Sequence, residues 1–277
     1  MKDSLPVKFL YQTVIGRFCL KVLTRPGFSK WAGKYLDSRA SAWLVPLFIK
    51  KHNIDMQPYH DGPYVSFNDF FTRKRTLSQR CSADQLLSPC DGLLRIYNIE
   101  ADTTFKIKHV QYDLNQLLRD PMLAERYANG FCFVFRLTPQ HYHRYNYACS
   151  GAPSALRKIR GQLHCVRPIV YEDRAVYAEN SRTYQIIHSP VYGDVIQMEV
   201  GALMVGKICN HSHQNEVICS QEKGYFAFGG STIILLIQRE KIVVDSKLNT
   251  AYFKEIAIYQ NDLLGTAATG KEVNNDE

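Results

Sequence analysis

A chain of 277 residues with 45% hydrophobic and 22% charged side chains has an ordinary globular composition and can bury a substantial core, which excludes disordered and collagen-like chains. Its net charge of +8 is concentrated at one end: residues 1–56 hold ten Lys and Arg against three Asp, and the rest is close to neutral. No run of 18 apolar residues marks a transmembrane helix, the N-terminus lacks the features of a signal peptide, and eight scattered cysteines without a Cys-x-x-Cys pair predict reduced thiols.

From Val7 to Ile49, apolar and basic residues interleave at helical spacing. Phe9, Leu10, Val14, Phe18 and Val22 follow the i, i+4 rule and predict a first helix. Arg25-Pro26-Gly27 ends it, Ser29 is the expected N-cap of a second, and the apolar run Ala42–Ile49 before Lys50-Lys51 predicts a third. Such helices either pack on the domain behind them or lie on an anionic bilayer, apolar side inward and basic side chains at the headgroups. Nucleic acid is not an expected partner, because no recognition motif accompanies the basic segment.

Beyond Pro63 the pattern changes to short runs rich in Val, Ile, Phe and Tyr. Strands are predicted at Phe131–Leu137, Val195–Val200, Ser231–Gln238 and Glu255–Tyr259, and a helix at Leu114–Leu118. The expected fold class is α+β. A mainly antiparallel or mixed β catalytic domain (57–265) follows amphipathic, membrane-contacting helices (1–56) and precedes a flexible tail (266–277).

Several places could carry chemistry. Ser88-Pro89-Cys90-Asp91-Gly92 reads as a turn with a carboxylate at its centre, which is also the form of an ordinary Asp-Gly turn. After the strand ending at Leu137, His141 and His143 precede Arg144; in a strand both imidazoles would share one face, suited to metal binding or acid–base work. Val200–Lys207 is a β run holding Gly201 and Gly206. Gly229 and Gly230 stand immediately before Ser231, leaving the Gly230 carbonyl sterically open to a hydroxyl, although Gly-Gly before a strand equally makes a hairpin turn. Cys209, His211 and His213 alternate as three ligands of a zinc site would, with no fourth ligand obvious.

Taken in order, these places resemble the phosphatidylserine decarboxylase family of self-processing pyruvoyl enzymes. The resemblance spans nearly the whole chain: Ser66–Arg73, Ser88-Pro89-x-Asp91-Gly92, Phe105–Lys108 with Tyr112, Tyr142-His143-Arg144, Asn180-x-Arg182, Val200-Gly201-Ala202 with Val205-Gly206, and Gly229-Gly230-Ser231-Thr232. It implies self-cleavage at Gly230-Ser231, with Ser231 as nucleophile and Asp91 as the carboxylate of an activating relay. Ester elimination and hydrolysis would leave a covalent pyruvoyl cofactor, derived from Ser231, at the head of a small chain, residues 231–277. Through a Schiff base to that group, phosphatidylserine would become phosphatidylethanolamine and CO2, with His143 in acid–base work.

One position departs from the family's Asp-Tyr-His-Arg-x-His-x-Pro pattern. Its second histidine, the usual processing base, is Asn146 here, and an amide cannot accept and return a proton. His143 is then the expected base, with His141 and His188 as other candidates. The resemblance further implies a phospholipid substrate, an anionic membrane surface contacted by residues 1–56, and peripheral attachment on the cytoplasmic face of a bacterial cell membrane. Large and small chains should stay associated, as a homodimer, with no metal. The alternatives are a non-catalytic membrane-bound relative, motivated by Asn146, and a pyruvoyl decarboxylase of another serine phospholipid.

Overall fold

The computed structural model describes residues 9–10, 13, 15–16, 18–19, 26–59, 62–76, 81–171, 174–202, 207–213, 215–229 and 231–268. An eight-stranded sheet dominates it. Its strands are β2 (Gly92–Asn98), β5 (Phe131–Leu137), β7 (Ala152–Pro153), β8 (Arg157–Ile159), β9 (Arg182–Ser189), β10 (Gly193–Gly201), β13 (Ser231–Ile237) and β15 (Ile256–Ile258). They lie in the order β15-β2-β5-β13-β10-β9-β7, with β8 also on β9, and every pairing is antiparallel.

The two central strands, β5 and β13, are buried at every residue. A strand covered on both faces reads as a continuous apolar run, because alternate side chains enter two different cores. Phe133, Phe135, Ile233 and Leu235 enter one core; Cys132, Val134, Ile234 and Leu236 enter the other.

The first core is closed by two small antiparallel sheets. One orders β1 (Gln85–Leu87), β16 (Leu263–Ala267) and β14 (Ile242–Val244); the other orders β11 (Ile208–Asn210), β12 (Glu222–Phe226) and β6 (Arg144–Asn146). The second core is closed by short helices over Leu114–Leu118, Pro121–Glu125, Pro168–Tyr171 and Val176–Glu179, together with the hairpin of β3 (Thr104–Ile107) and β4 (Val110–Asp113). Asp113 and Asp120 cap the first two helices through the backbone N–H groups of Asn115 and Leu123.

A third core lies at the N-terminal side. Helices Pro26–Asp37 and Leu44–His52 pack Leu36 and Val45 against Phe67, Phe70 and Phe71 of the helix Phe67–Phe71, with Phe228 packed against the cluster. Their outer surface exposes Trp31, Tyr35, Trp43 and Leu47. The helices therefore do pack on the body, and still leave large apolar side chains facing outward. Among the described residues no helix is long and apolar enough to cross a membrane.

Four expectations are corrected. The second helix starts at Pro26, a residue whose fixed φ suits a first helical turn, so Ser29 lies inside it and is not its N-cap. His141 and His143 do not share a strand face: Thr138–His141 forms a turn, closed by His141 N–H on the Thr138 carbonyl at 3.0 Å, and β6 begins only at Arg144. The thiols are not all reduced, since Cys81 and Cys219, 138 residues apart, form a disulfide that spacing along the chain could not reveal. Cys209 is the middle residue of the short strand β11, and His211 and His213 lie beyond its end, so the three do not share one strand face. The predicted first helix falls largely outside the described residues; Phe9–Leu10, Ile15–Gly16 and Phe18–Cys19 within it are helical.

Candidate active site

The chemistry-bearing residues gather at one end of the main sheet. Ser231 opens β13, opposite Leu137 of β5 and Gly201 of β10. Asp91 precedes Gly92, which opens β2 on the far side of β5. The two backbones are thus two strand spacings apart, about 10 Å. Gly229, at φ 138°, takes a left-handed conformation that a side chain would resist. Gly230, the other half of the expected cleavage site, lies outside the described residues, as do Val205 and Gly206.

The Ser231 side chain is fully buried and, among the described residues, its Oγ has no hydrogen-bond partner. His143 is also fully buried. Its Nδ1 lies 2.8 Å from the His141 carbonyl, which can only accept, so Nδ1 carries the proton and Nε2 presents a lone pair. Among the described residues that Nε2 has no hydrogen-bond partner either. The imidazole pKa lies well below the ordinary value: burial is the main cause, the Arg73 guanidinium and the His141 ring reinforce it, and the His141 and Gly229 backbones only partly oppose it. A hydroxyl that needs an acceptor and a ring nitrogen that needs a donor are both left unsatisfied at the same end of the sheet. Each such buried group costs about 1–3 kcal/mol and calls for an explanation.

The segment Ser66–Arg73 explains how this arrangement is held. Ser66 caps the helix through Asp69 N–H at 3.1 Å, and Asn68 Oδ1 accepts from Phe228 N–H at 3.0 Å, fixing the residue before Gly229. The Phe71 ring packs against the His143 ring, tilted by 35° with centroids 4.0 Å apart. From the other side, Asn180 Nδ2 donates to the Gly201 carbonyl at 2.8 Å, and Arg182 donates to the carbonyls of Gln116, Leu117, Ala178 and Asn180. The Asn180-x-Arg182 motif thereby ties the helical layer to the strand beside Ser231.

Asp91 is buried and accepts from both Arg75 Nη atoms and from Gln260 N–H. It makes no hydrogen bond to an imidazole among the described residues. His141 is nearer to it electrostatically: burial lowers the His141 pKa, Asp91 opposes that, and Arg136 reinforces it. His141 Nδ1 accepts from Thr138 N–H at 3.0 Å.

Of the other expected residues, Asn146 lies next to the turn that carries Asp91, and His188, His211 and His213 lie elsewhere. Asn146 is buried beside the 88–92 turn, its N–H donated to the Pro89 carbonyl at 2.8 Å and its side-chain amide directed to Asn261. His188 pairs with Asp194 at 2.7 Å, across the β9–β10 ladder at the end opposite Gly201. His211 and His213 bond to Glu222, and among the described residues no group of three His, Cys, Asp or Glu is placed to hold a metal. Sequence reading missed Arg75, which has no local signal, and gave no role to Arg73, although its Phe-Phe-Thr-Arg context was in view.

A profile of the phosphatidylserine decarboxylase family matches residues 67–254. The chain belongs to the phosphatidylserine decarboxylase family. It is 41% identical over 246 residues to phosphatidylserine decarboxylase proenzyme 2 of Clostridium acetobutylicum, covering 87% of this chain and 84% of that one. The phosphatidylserine decarboxylase proenzyme of Clostridium novyi is 38% identical over 271 residues, 94% of this chain and 92% of its own, and that of Chlamydia trachomatis is 38% identical over 253. The chain is accordingly an enzyme of the carboxy-lyase class.

Proposed function

We propose that the chain is a precursor that cleaves itself between Gly230 and Ser231 and then decarboxylates phosphatidylserine to phosphatidylethanolamine and CO2. The observation that carries this reading is the pair of unsatisfied buried groups, Ser231 Oγ and His143 Nε2. A neutral imidazole with an unshared lone pair suits the base that takes the hydroxyl proton as Oγ attacks the Gly230 carbonyl. Asp91, held by Arg75, would stabilise the imidazolium through the polar cluster that includes His141. The Gly230–Ser231 C–N bond then breaks, giving an ester and a free amine; in the elimination that follows, Ser231 loses its Cα proton, its Cβ–Oγ bond breaks and both oxygens stay with Gly230 as a carboxylate. Hydrolysis of the dehydroalanine releases ammonia and leaves the ketone. The pyruvoyl group so made supplies an electron-withdrawing carbonyl for the substrate amine.

A diacyl lipid substrate requires a bilayer contact, and the first 56 residues supply both basic charge and the outward Trp31, Trp43 and Leu47. Peripheral attachment to the cytoplasmic face of an anionic membrane follows from this reading, with the two chains staying together.

Intact-mass measurement tests it. The wild-type protein should give two masses, with the smaller chain blocked at its N-terminus and reactive toward a carbonyl reagent. Ser231→Ala and His143→Ala should each give one full-length chain. A single unbroken wild-type polypeptide, inert to the reagent and releasing no CO2 from phosphatidylserine, would overturn the reading.

A further inference from the structure

Arg73 is 2% exposed, yet among the described residues its Nε and Nη1 have no hydrogen-bond partner. Only Nη2 is engaged, by long contacts of 3.4 Å to the Tyr59 hydroxyl and the Gln140 carbonyl. The guanidinium lies 4.2 Å over the Tyr59 ring and 5.0 Å over Phe70. Aromatic faces compensate a buried cation only in part, and burying an ion without a counter-charge is costly. By contrast Arg75, Arg136 and Arg144 all hold carboxylates. The unpaired cation also stands at the site. Phe71, two residues earlier, packs against His143, and Gln140 belongs to the turn that carries His141.

We infer that Arg73 is the anion seat of this active site, built to receive an oxyanion that the uncut, unliganded chain does not yet contain. The inference rests on the self-cleaving reading above. Two sources of the same chemistry exist there: the carboxylate created at Gly230 by cleavage, and the phosphodiester of the lipid headgroup. The substrate carboxylate is the wrong occupant. It leaves as CO2, and a tight ion pair would stabilise it in the ground state and so raise the barrier to its loss. A carboxylate left by cleavage, or a phosphodiester, keeps its charge through the reaction, and a guanidinium with free N–H donors on Nε and Nη1 can give charge-assisted hydrogen bonds to either.

The experiment compares Arg73→Gln and the conservative Arg73→Lys with the wild-type protein, after intact mass has shown that the wild type cleaves. If it does not, the self-cleaving reading fails, before any Arg73 variant is judged. Phosphatidylserine turnover in mixed micelles gives KM and kcat, with glycerol phosphate as a competing probe. Thermal melting is recorded for Arg73→Gln in the cleaved protein and in the uncut Ser231→Ala background. A headgroup occupant predicts that Arg73→Gln raises KM by about tenfold or more and weakens competition by the probe, with kcat little changed and partial recovery in Arg73→Lys. A Gly230 carboxylate predicts a larger loss of melting temperature in the cleaved protein than in the uncut one, with KM unchanged. Either result supports the anion seat. Equal melting losses in both backgrounds, together with unchanged KM and unchanged competition, would overturn it.

Discussion

Arg75 grips Asp91 with both arms of its guanidinium, Nη1 to Oδ2 at 3.0 Å and Nη2 to Oδ1 at 2.6 Å, with both side chains nearly buried. The bidentate fit holds the carboxylate in one orientation at the edge of the active site. Removing one partner of such a pair leaves a buried charge alone, so Arg75→Gln should destabilise the fold by about 3–5 kcal/mol. Asp91→Asn plus Arg75→Gln should cost less than the sum of the two. Denaturant unfolding in the uncut Ser231→Ala background measures both.

On the proposed reading, His143 would set the pH response of cleavage. With its pKa held well below 6.5 by burial and by Arg73, the imidazole stays neutral at pH values where an ordinary histidine would be half protonated. The rate of chain cleavage should therefore be flat from pH 8 to below 6.5 and fall only at more acid pH. Gel analysis of cleavage time courses reads this directly. A fall centred on 6.5 would point to an ordinary solvated histidine as the base.

Beneath the Ser231 end of the sheet, Lys223 Nζ lies 2.7 Å from Glu199 Oε1, both side chains wholly inaccessible. Glu199 also accepts from Thr183 Oγ1 and Asn210 Nδ2, and Lys223 donates to Asn210 Oδ1. Burial pulls the lysine pKa down while Glu199 opposes it. Lys223→Met or Glu199→Gln alone should cost about 3–5 kcal/mol of stability, and Glu199→Met with Lys223→Met markedly less than their sum. The same Ser231→Ala background should give a single chain for that measurement.

His164 should make the protein acid-sensitive. Its pKa is lowered to about 4, first by burial and then by Arg174, with Glu179 opposing. Between pH 6.5 and about 4 the unfolded chain binds a proton there that the folded chain does not, so stability falls as pH falls through that window. His164→Gln should flatten this part of the stability curve, whatever its effect at pH 8. Thermal melting across the window is the test.

Trp31 and Trp43, 69% and 60% exposed, should act at a bilayer interface. Replacing both with Ala should weaken binding to anionic vesicles several-fold and leave melting nearly unchanged, and added salt should weaken it further. Vesicle sedimentation at two ionic strengths separates the apolar from the electrostatic part. Binding indifferent to both changes would place the membrane contact elsewhere.

The elements most legible in sequence were those buried on both faces. Phe131–Leu137 and Ser231–Ile237 read as strands because no solvent-facing residue interrupts them. Leu114–Leu118 was equally clear as a helix. The placement of Asp91, His143 and Ser231 at one end came from the order of motifs, and no local pattern carries it. Contacts between distant segments stayed hidden: Arg75 with Asp91, Phe71 on His143, and Cys81 with Cys219 have no periodicity to betray them. His188 lies in a strand whose far end approaches the site, and nothing in its own neighbourhood says which end is which. His141 and His143 were misjudged because Pro139 turns the chain just after β5.

β13 lies between β5 and β10, and the segment after it supplies β14, β15 and β16, of which β15 pairs with β2 and β16 with β1. A break ahead of Ser231 would sever the covalent thread and leave every one of these ladders in place. Before the break, folding is an affair of one molecule with itself. Afterwards, a fully denatured protein would have to find its central strand by collision, so its recovery would depend on concentration. Maturation of this kind would trade the ability to refold alone for a new reactive end.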